Sequence, residues 1–108
     1  MGAGWTYLLL AGVFELGFTT ALKLSEQFTR LGPSLMVLVF GSLSFWLLSK
    51  SMATISLGTA YAVWTGIGAF GTALIGIVFF KDPLSFWRVF FLLTLIGSIA
   101  GLKAVSGE

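Results

Sequence analysis

The sequence predicts an all-α membrane protein built from four transmembrane helices, and three observations predict it. Hydrophobic residues make up 57% of the 108 positions and charged residues only 9%, where a soluble domain carries about 25% charged residues. The mean hydropathy is +1.03, which leaves too little polar surface to cover a globule in water. The few charges, with both prolines, fall mostly between four apolar stretches, each close to the roughly 17–25 residues that a helix needs to cross the hydrocarbon layer.

The first stretch runs from Trp5 to Leu22, the second from Pro33 to Ser49, the third from Leu57 to Phe80 and the fourth from Phe86 to Ala104. Together they make residues 1–108 a single four-helix membrane domain with nothing left over for a soluble one. Membrane barrel strands do not fit, because the runs are too long and do not alternate. The connections "KLSEQFTRLG", "SKSMATIS" and "KDPLS" separate the spans. Pro33 and Pro83 suit first helical turns, where a missing N–H costs nothing, and Asp82 is expected to cap the fourth helix. Trp5, Tyr7, Trp46 and Trp87 fall near span ends, where amphipathic rings favour the membrane interface. No Lys or Arg precedes the first apolar run, so it reads as a span and not as a cleaved leader.

Composition also excludes function classes. The chain has no Cys and no His, so disulfides, thiol catalysis and the usual metal or haem ligand sets are not expected, and neither is a cofactor. No nucleophile–base pair suggests an enzyme. The net charge of +2 is scattered and offers no nucleic-acid surface. With an even number of spans, Lys50 and Lys103 lie on one side of the membrane and Lys23, Arg30, Lys81 and Arg88 on the other. Lys/Arg asymmetry orients membrane proteins. An asymmetry this small leaves open either a fixed orientation, with the first and third loops cytoplasmic, or insertion in both directions.

The chemistry concentrates on Glu15, the lone carboxylate inside a span; Glu26, Asp82 and Glu108 lie in loops or at the terminus. At 1.5 Å per residue, Glu15 sits about 15 Å deep in a core about 30 Å thick. An ionised acid there is costly and belongs against protein or water. Such a group is suited to hold a proton, or an organic cation that displaces it. One carboxylate serving both ligands makes them compete, and competition with alternating access is antiport. The alternative is a permanently protonated Glu hydrogen-bonded to a neighbouring helix. Four helices barely enclose a pathway, so a homodimer is expected.

Other residues group around this one. Tyr61 and Trp64 share a helix face and lie deeper than interfacial rings; an aromatic pair beside an acid makes a cation site, or else they are core. Gly66 and Gly68 permit a hinge or close packing. Ser44 has a hydroxyl for the site, or bonds back along its own helix. Gly97 and Gly101 form G-x-x-x-G, which allows close helix approach between subunits or within one.

Two long segments, "FELGFTTALKLSEQFTRLGPS" and "SFWLLSKSMATISLGTAYAVWTGIGAFGTALIGIVFFKDP", closely resemble the small multidrug resistance family, and the resemblance covers essentially the whole chain. It implies a proton-coupled exporter of small organic cations that works in the bacterial inner membrane as an antiparallel, dual-topology homodimer. By position, Glu15 resembles the family's proton- and substrate-binding glutamate, and Tyr61 and Trp64 its third-span aromatics. Ser44 resembles a serine that orients the glutamate in the guanidinium-exporting branch, and Gly12 a small residue of the same site. The third-span segment is similar to that branch. Phe18, however, stands where those exporters usually carry Trp, and "GFTT" is similar to the branch that handles quaternary ammonium and aromatic cations. Phe18 is therefore expected to favour alkylated cations, unless its ring points to lipid or to a neighbouring helix. Pairing with a paralogue in a heterodimer is the alternative to the homodimer.

Overall fold

The computed structural model describes residues 2–106, and Glu108 lies outside them. The described residues form α1 (Ala3–Leu24), α2 (Leu31–Ser51), α3 (Leu57–Phe79) and α4 (Phe86–Ser106). All four are long and apolar enough to cross a membrane, so the chain is the four-helix, all-α membrane protein that its composition requires. Short connections send successive helices back across the membrane, which leaves α1 and α3 parallel. α1 packs against both α2 and α3, and α4 packs against α3.

The helix ends follow from local hydrogen bonding. Buried Ser25 organises the α1–α2 turn: its Oγ donates to the Leu22 carbonyl and accepts the Phe28 N–H, and its carbonyl accepts the N–H groups of Thr29 and Arg30. These bonds hold Glu26, Gln27 and Phe28 at φ of 49°, 63° and 65°, a left-handed conformation that non-glycine residues seldom adopt. Pro33 lies in the first turn of α2, as expected. Asp82 does not cap α4. Lys81 is left-handed, at φ 58°, and turns the chain so that the Asp82 N–H returns to the Gly76 carbonyl. Asp82 is therefore tied to the end of α3, Pro83 lies in the connection and not in the first turn of α4, and Ser85 caps α4 by accepting the Arg88 N–H.

The core is concentrated at one end. Trp5, Leu8 and Ala11 of α1 meet Leu47 and Leu48 of α2 and Ala60 and Val63 of α3, with Ile55 of the intervening loop. Trp5 is thus a core residue, only 2% exposed. It lies near the start of α1, at the span end where it was expected, with its ring turned to the other helices. Trp46 and Trp87 are exposed, and the Lys50 ammonium lies over the rings of Tyr7 and Trp46.

Small residues set the spacing of the helices. A Cβ at Gly12 would stand 2.6 Å from Ile67 Cγ2 of α3, and one at Gly66 would stand 2.6 Å from Ile99 Cδ1 of α4. Leu16 fills the space over Gly71, and Phe40 covers Gly17. Without a hydrophobic driving force in lipid, such close approach supplies the packing that holds membrane helices together.

Gly12→Val should therefore destabilise the bundle by about 1–3 kcal/mol, the usual cost of overpacking, because branched Ile67 has little freedom to yield. The midpoint of unfolding by denaturing detergent should fall. Gly58→Ala, where a Cβ meets nothing within 4 Å, should leave it unchanged; equal midpoints for both variants would contradict this packing.

Candidate functional site: a carboxylate between α1 and α3

Glu15 occupies the middle of α1, on the face turned to α3. Its carboxylate lies against the Cα of Gly68, in the space that any side chain at position 68 would fill. Oε1 is buried and has no hydrogen-bond partner among the described residues. Gly68 thus seats the acid, and Gly12, one turn earlier, lets α3 come close enough to do so. α3 runs through Gly66-Ile67-Gly68 as unbroken helix. In this conformation both glycines serve close packing, Gly66 against α4 and Gly68 against Glu15.

One turn toward the packed end, a buried hydrogen-bond chain ties three helices together. The Trp64 Nε1–H donates to Ser44 Oγ at 2.9 Å, and Ser44 Oγ donates to the Ala11 carbonyl at 2.7 Å. Ser44 therefore bonds neither to its own helix nor to Glu15. It fixes the Trp64 indole relative to α1, and the indole in turn packs at a tilt, 5.8 Å from the Tyr61 ring and 5.4 Å from that of Phe45. Phe45 was not singled out from the sequence; only its helical position beside Ser44 hints at it. Tyr61 is 56% exposed and opens the aromatic group outward.

Phe18 takes the other direction. Its ring packs over Gly41 of α2, so it sits on the α2-facing side of α1 while Glu15 faces α3. Gly97 and Gly101 lie on the outer surface of α4, where an added Cβ would meet nothing within 4 Å. Their close-approach surface is not used inside the subunit.

One turn from Glu15 in the opposite direction, Thr19 and Thr72 share a hydrogen bond of 2.7 Å between α1 and α3. The contacts of Gly12 with Ile67, Glu15 with Gly68, Leu16 with Gly71 and Thr19 with Thr72 form one continuous parallel interface. The Thr pair escapes a sequence reading, because hydroxyls 53 residues apart carry no local pattern.

Four membrane-crossing helices, with a carboxylate seated between α1 and α3, define a small multi-pass membrane protein. The family model for the Small Multidrug Resistance protein matches residues 3–96, and the chain belongs to that family. It is 44% identical over 102 residues to the "Guanidinium exporter" of Yersinia pseudotuberculosis, covering 94% of this chain and 98% of that one. It is 42% identical over 99 residues to the "Guanidinium exporter" of Salmonella typhimurium, covering 92% and 94%. Over 102 residues it is 40% identical to the "Probable guanidinium efflux system subunit GdnD" of Bacillus licheniformis, covering 94% and 98%. With four spans and bacterial relatives of this kind, it is a multi-pass protein of the bacterial inner membrane.

Ser44→Ala should leave the Trp64 N–H without its acceptor, at a cost of about 1–3 kcal/mol for an unsatisfied buried donor. The Trp64 indole resonance should shift markedly in a ¹⁵N–¹H spectrum while that of exposed Trp87 holds. An unmoved Trp64 signal would place its hydrogen bond elsewhere.

Proposed function

We propose that this chain is a proton-coupled antiporter that exports guanidinium-type cations, and that it works as a homodimer. The observation that carries the reading is the Glu15 carboxylate, seated at membrane depth against Gly68 with an oxygen that no group among the described residues satisfies. A planar cation with several N–H donors matches such an acceptor, because charge-assisted hydrogen bonds to a carboxylate are directional and strong. The rings of Tyr61, Trp64 and Phe45 add faces that attract positive charge, and the hydrogen-bond chain through Ser44 keeps the indole in place. Names of relatives at 40–44% identity support guanidinium as the substrate. The relatives are exporters, and no enzymatic role is assigned to the chain.

Transport follows from the shared site. A proton on Glu15 neutralises it, and a cation binds only after the proton leaves. If the site faces one side at a time, a proton gradient expels the cation. Phe18 packs on Gly41 of α2, the neighbouring-helix placement, so its ring supports no preference for alkylated cations. The free outer face of Gly97 and Gly101 supports a subunit contact through α4. The small Lys/Arg asymmetry supports a dimer with its subunits in opposite orientations. A second reading, one half of a heterodimer with a paralogue, is favoured by the subunit name of the Bacillus relative.

Glu15→Gln is nearly isosteric and cannot ionise. In proteoliposomes holding this chain alone, it should abolish proton-driven guanidinium movement and remove the pH dependence of guanidinium binding. Near-native exchange by the variant would eliminate the shared-site mechanism.

Orientation has its own test, made simple because the sequence contains no Cys. A single Cys placed near the C-terminus should be labelled by a membrane-impermeant thiol reagent from both sides of the membrane. Labelling from one side alone would contradict the antiparallel dimer.

A further inference from the structure

Beside the last turn of α1, the loop end of the bundle carries an open pocket of about 580 Å³. Lys23, Glu26, Gln27 and Arg30 are its polar lining, and Leu22, Leu24 and Phe80 form its apolar wall. Among the described residues neither Lys23 nor Arg30 forms an ion pair. The hydrogen bonds of Ser25 hold the α1–α2 turn in shape, so the backbone that carries Glu26, Gln27 and Arg30 is set before anything binds.

A second cavity, of about 240 Å³, adjoins this pocket through Leu24, which lines both. It is a groove over α1, walled by Met36 and Phe40 of α2 and by Ile75 of α3, with Leu16 at its inner end. Leu16 lies about 12 Å deeper along the helix than Leu24. Thr20 also lines the groove, but its Oγ1 is buried, so the groove offers carbon and not a hydroxyl. Leu24 stands about 180° from Glu15 around the axis of α1, and Glu15 lines neither cavity. The groove is thus on the back of the carboxylate site, and Leu24 and Met36 at its sides are exposed.

We propose that pocket and groove together bind one anionic phospholipid, with its phosphodiester between Lys23 and Arg30 and an acyl chain in the groove. The position is right for such a ligand. Lys23 lies in the last turn of a membrane-crossing helix and Arg30 just before the next, at the level where headgroups meet basic side chains. Arg binds a phosphate through paired, charge-assisted hydrogen bonds. Two cations against one carboxylate, Glu26, leave the pocket with a net positive charge, which a singly anionic headgroup neutralises and a zwitterionic one does not. The hydroxyls of a glycerol headgroup can donate to Glu26 and to the Gln27 amide oxygen. Free phosphate shares the anionic chemistry but has no chain for the groove. Lys23 also lines the α1–α3 cavity with Asp82, whereas Arg30 does not, which makes Arg30 the cleaner residue to change. The site depends on none of the transport reading.

The test is native mass spectrometry of the purified protein in detergent, offered equimolar dioleoyl phosphatidylglycerol and dioleoyl phosphatidylcholine. Phosphatidylglycerol should be retained about tenfold more than phosphatidylcholine, the scale of one charge-assisted contact. Arg30→Gln should bring its retention down to that of phosphatidylcholine, and Arg30→Lys should keep most of the preference. Arg88→Gln removes the same charge from the same end of the bundle, outside the pocket, and should change nothing. Met36→Trp puts a larger ring at the exposed wall of the groove and should weaken retention while the charges stay. Inorganic phosphate at the concentration of the lipid should displace none of it. Equal retention of the two lipids, or unchanged retention in Arg30→Gln or Met36→Trp, would overturn the proposal. So would an equal loss in Arg88→Gln. Displacement by phosphate would make the pocket a free-anion site, and a dimer that retains no lipid would give the groove to a second subunit; either result would overturn the proposal too.

Discussion

The structure depends on one constraint: a carboxylate placed near the middle of a membrane must lie against something other than lipid. The cost of an acid at the centre of a spanning helix is about 2.5–3.5 kcal/mol by insertion scales, comparable to a large part of the packing energy between two helices. Here the seat is the backbone of α3 at Gly68. Much of the α1–α3 interface is consistent with making that seat reachable. Gly12 admits Ile67, Gly71 admits Leu16, and Thr19 meets Thr72. The acid is covered, and its Oε1 has no hydrogen-bond partner among the described residues.

The two ends of the bundle are built differently. Toward the α2–α3 connection, Trp5, Leu8, Leu47 and Val63 form a dry core, and the Trp64–Ser44–Ala11 chain locks the aromatic group to it. Toward the α1–α2 and α3–α4 connections, hydroxyls, Lys23 and Asp82 surround a cavity. A rigid end suits the cation recognition proposed for the indole and the carboxylate. α4 stands apart from both: no residue of its membrane-spanning window is buried, and its glycine surface is unoccupied, as expected of a helix that completes its packing outside the subunit.

Much of the fold was legible in the sequence because lipid imposes a simple rule. A backbone that crosses the membrane must satisfy its own hydrogen bonds, so long apolar runs broken by charges and prolines read directly as helices. Glu15 was legible for the same reason, as a charge where the rule allows few. What was not legible depends on how each helix is rotated about its axis. Trp5 stands at a span end in either case, and only rotation decides whether it meets lipid or core. Ser44 was a candidate partner for the carboxylate; packing brings the Ala11 carbonyl and the Trp64 indole to it first. Asp82 lost the capping role to Ser85 because a left-handed Lys81 extends the end of α3, a conformation that residue type alone does not predict. The Thr19–Thr72 pair joins residues without any sequence relation, and only the parallel register of α1 and α3 brings them together.

The central claim is that one carboxylate holds either a proton or the organic cation. Its most direct measurement is proton release on binding: guanidinium added to the purified, detergent-solubilised protein in weak buffer, with the pH of the medium followed. The account predicts that binding acidifies the medium when Glu15 starts protonated, and that the acidification fades as the starting pH rises and the site is already empty of protons. Saturable guanidinium binding that releases no proton at any pH would contradict it.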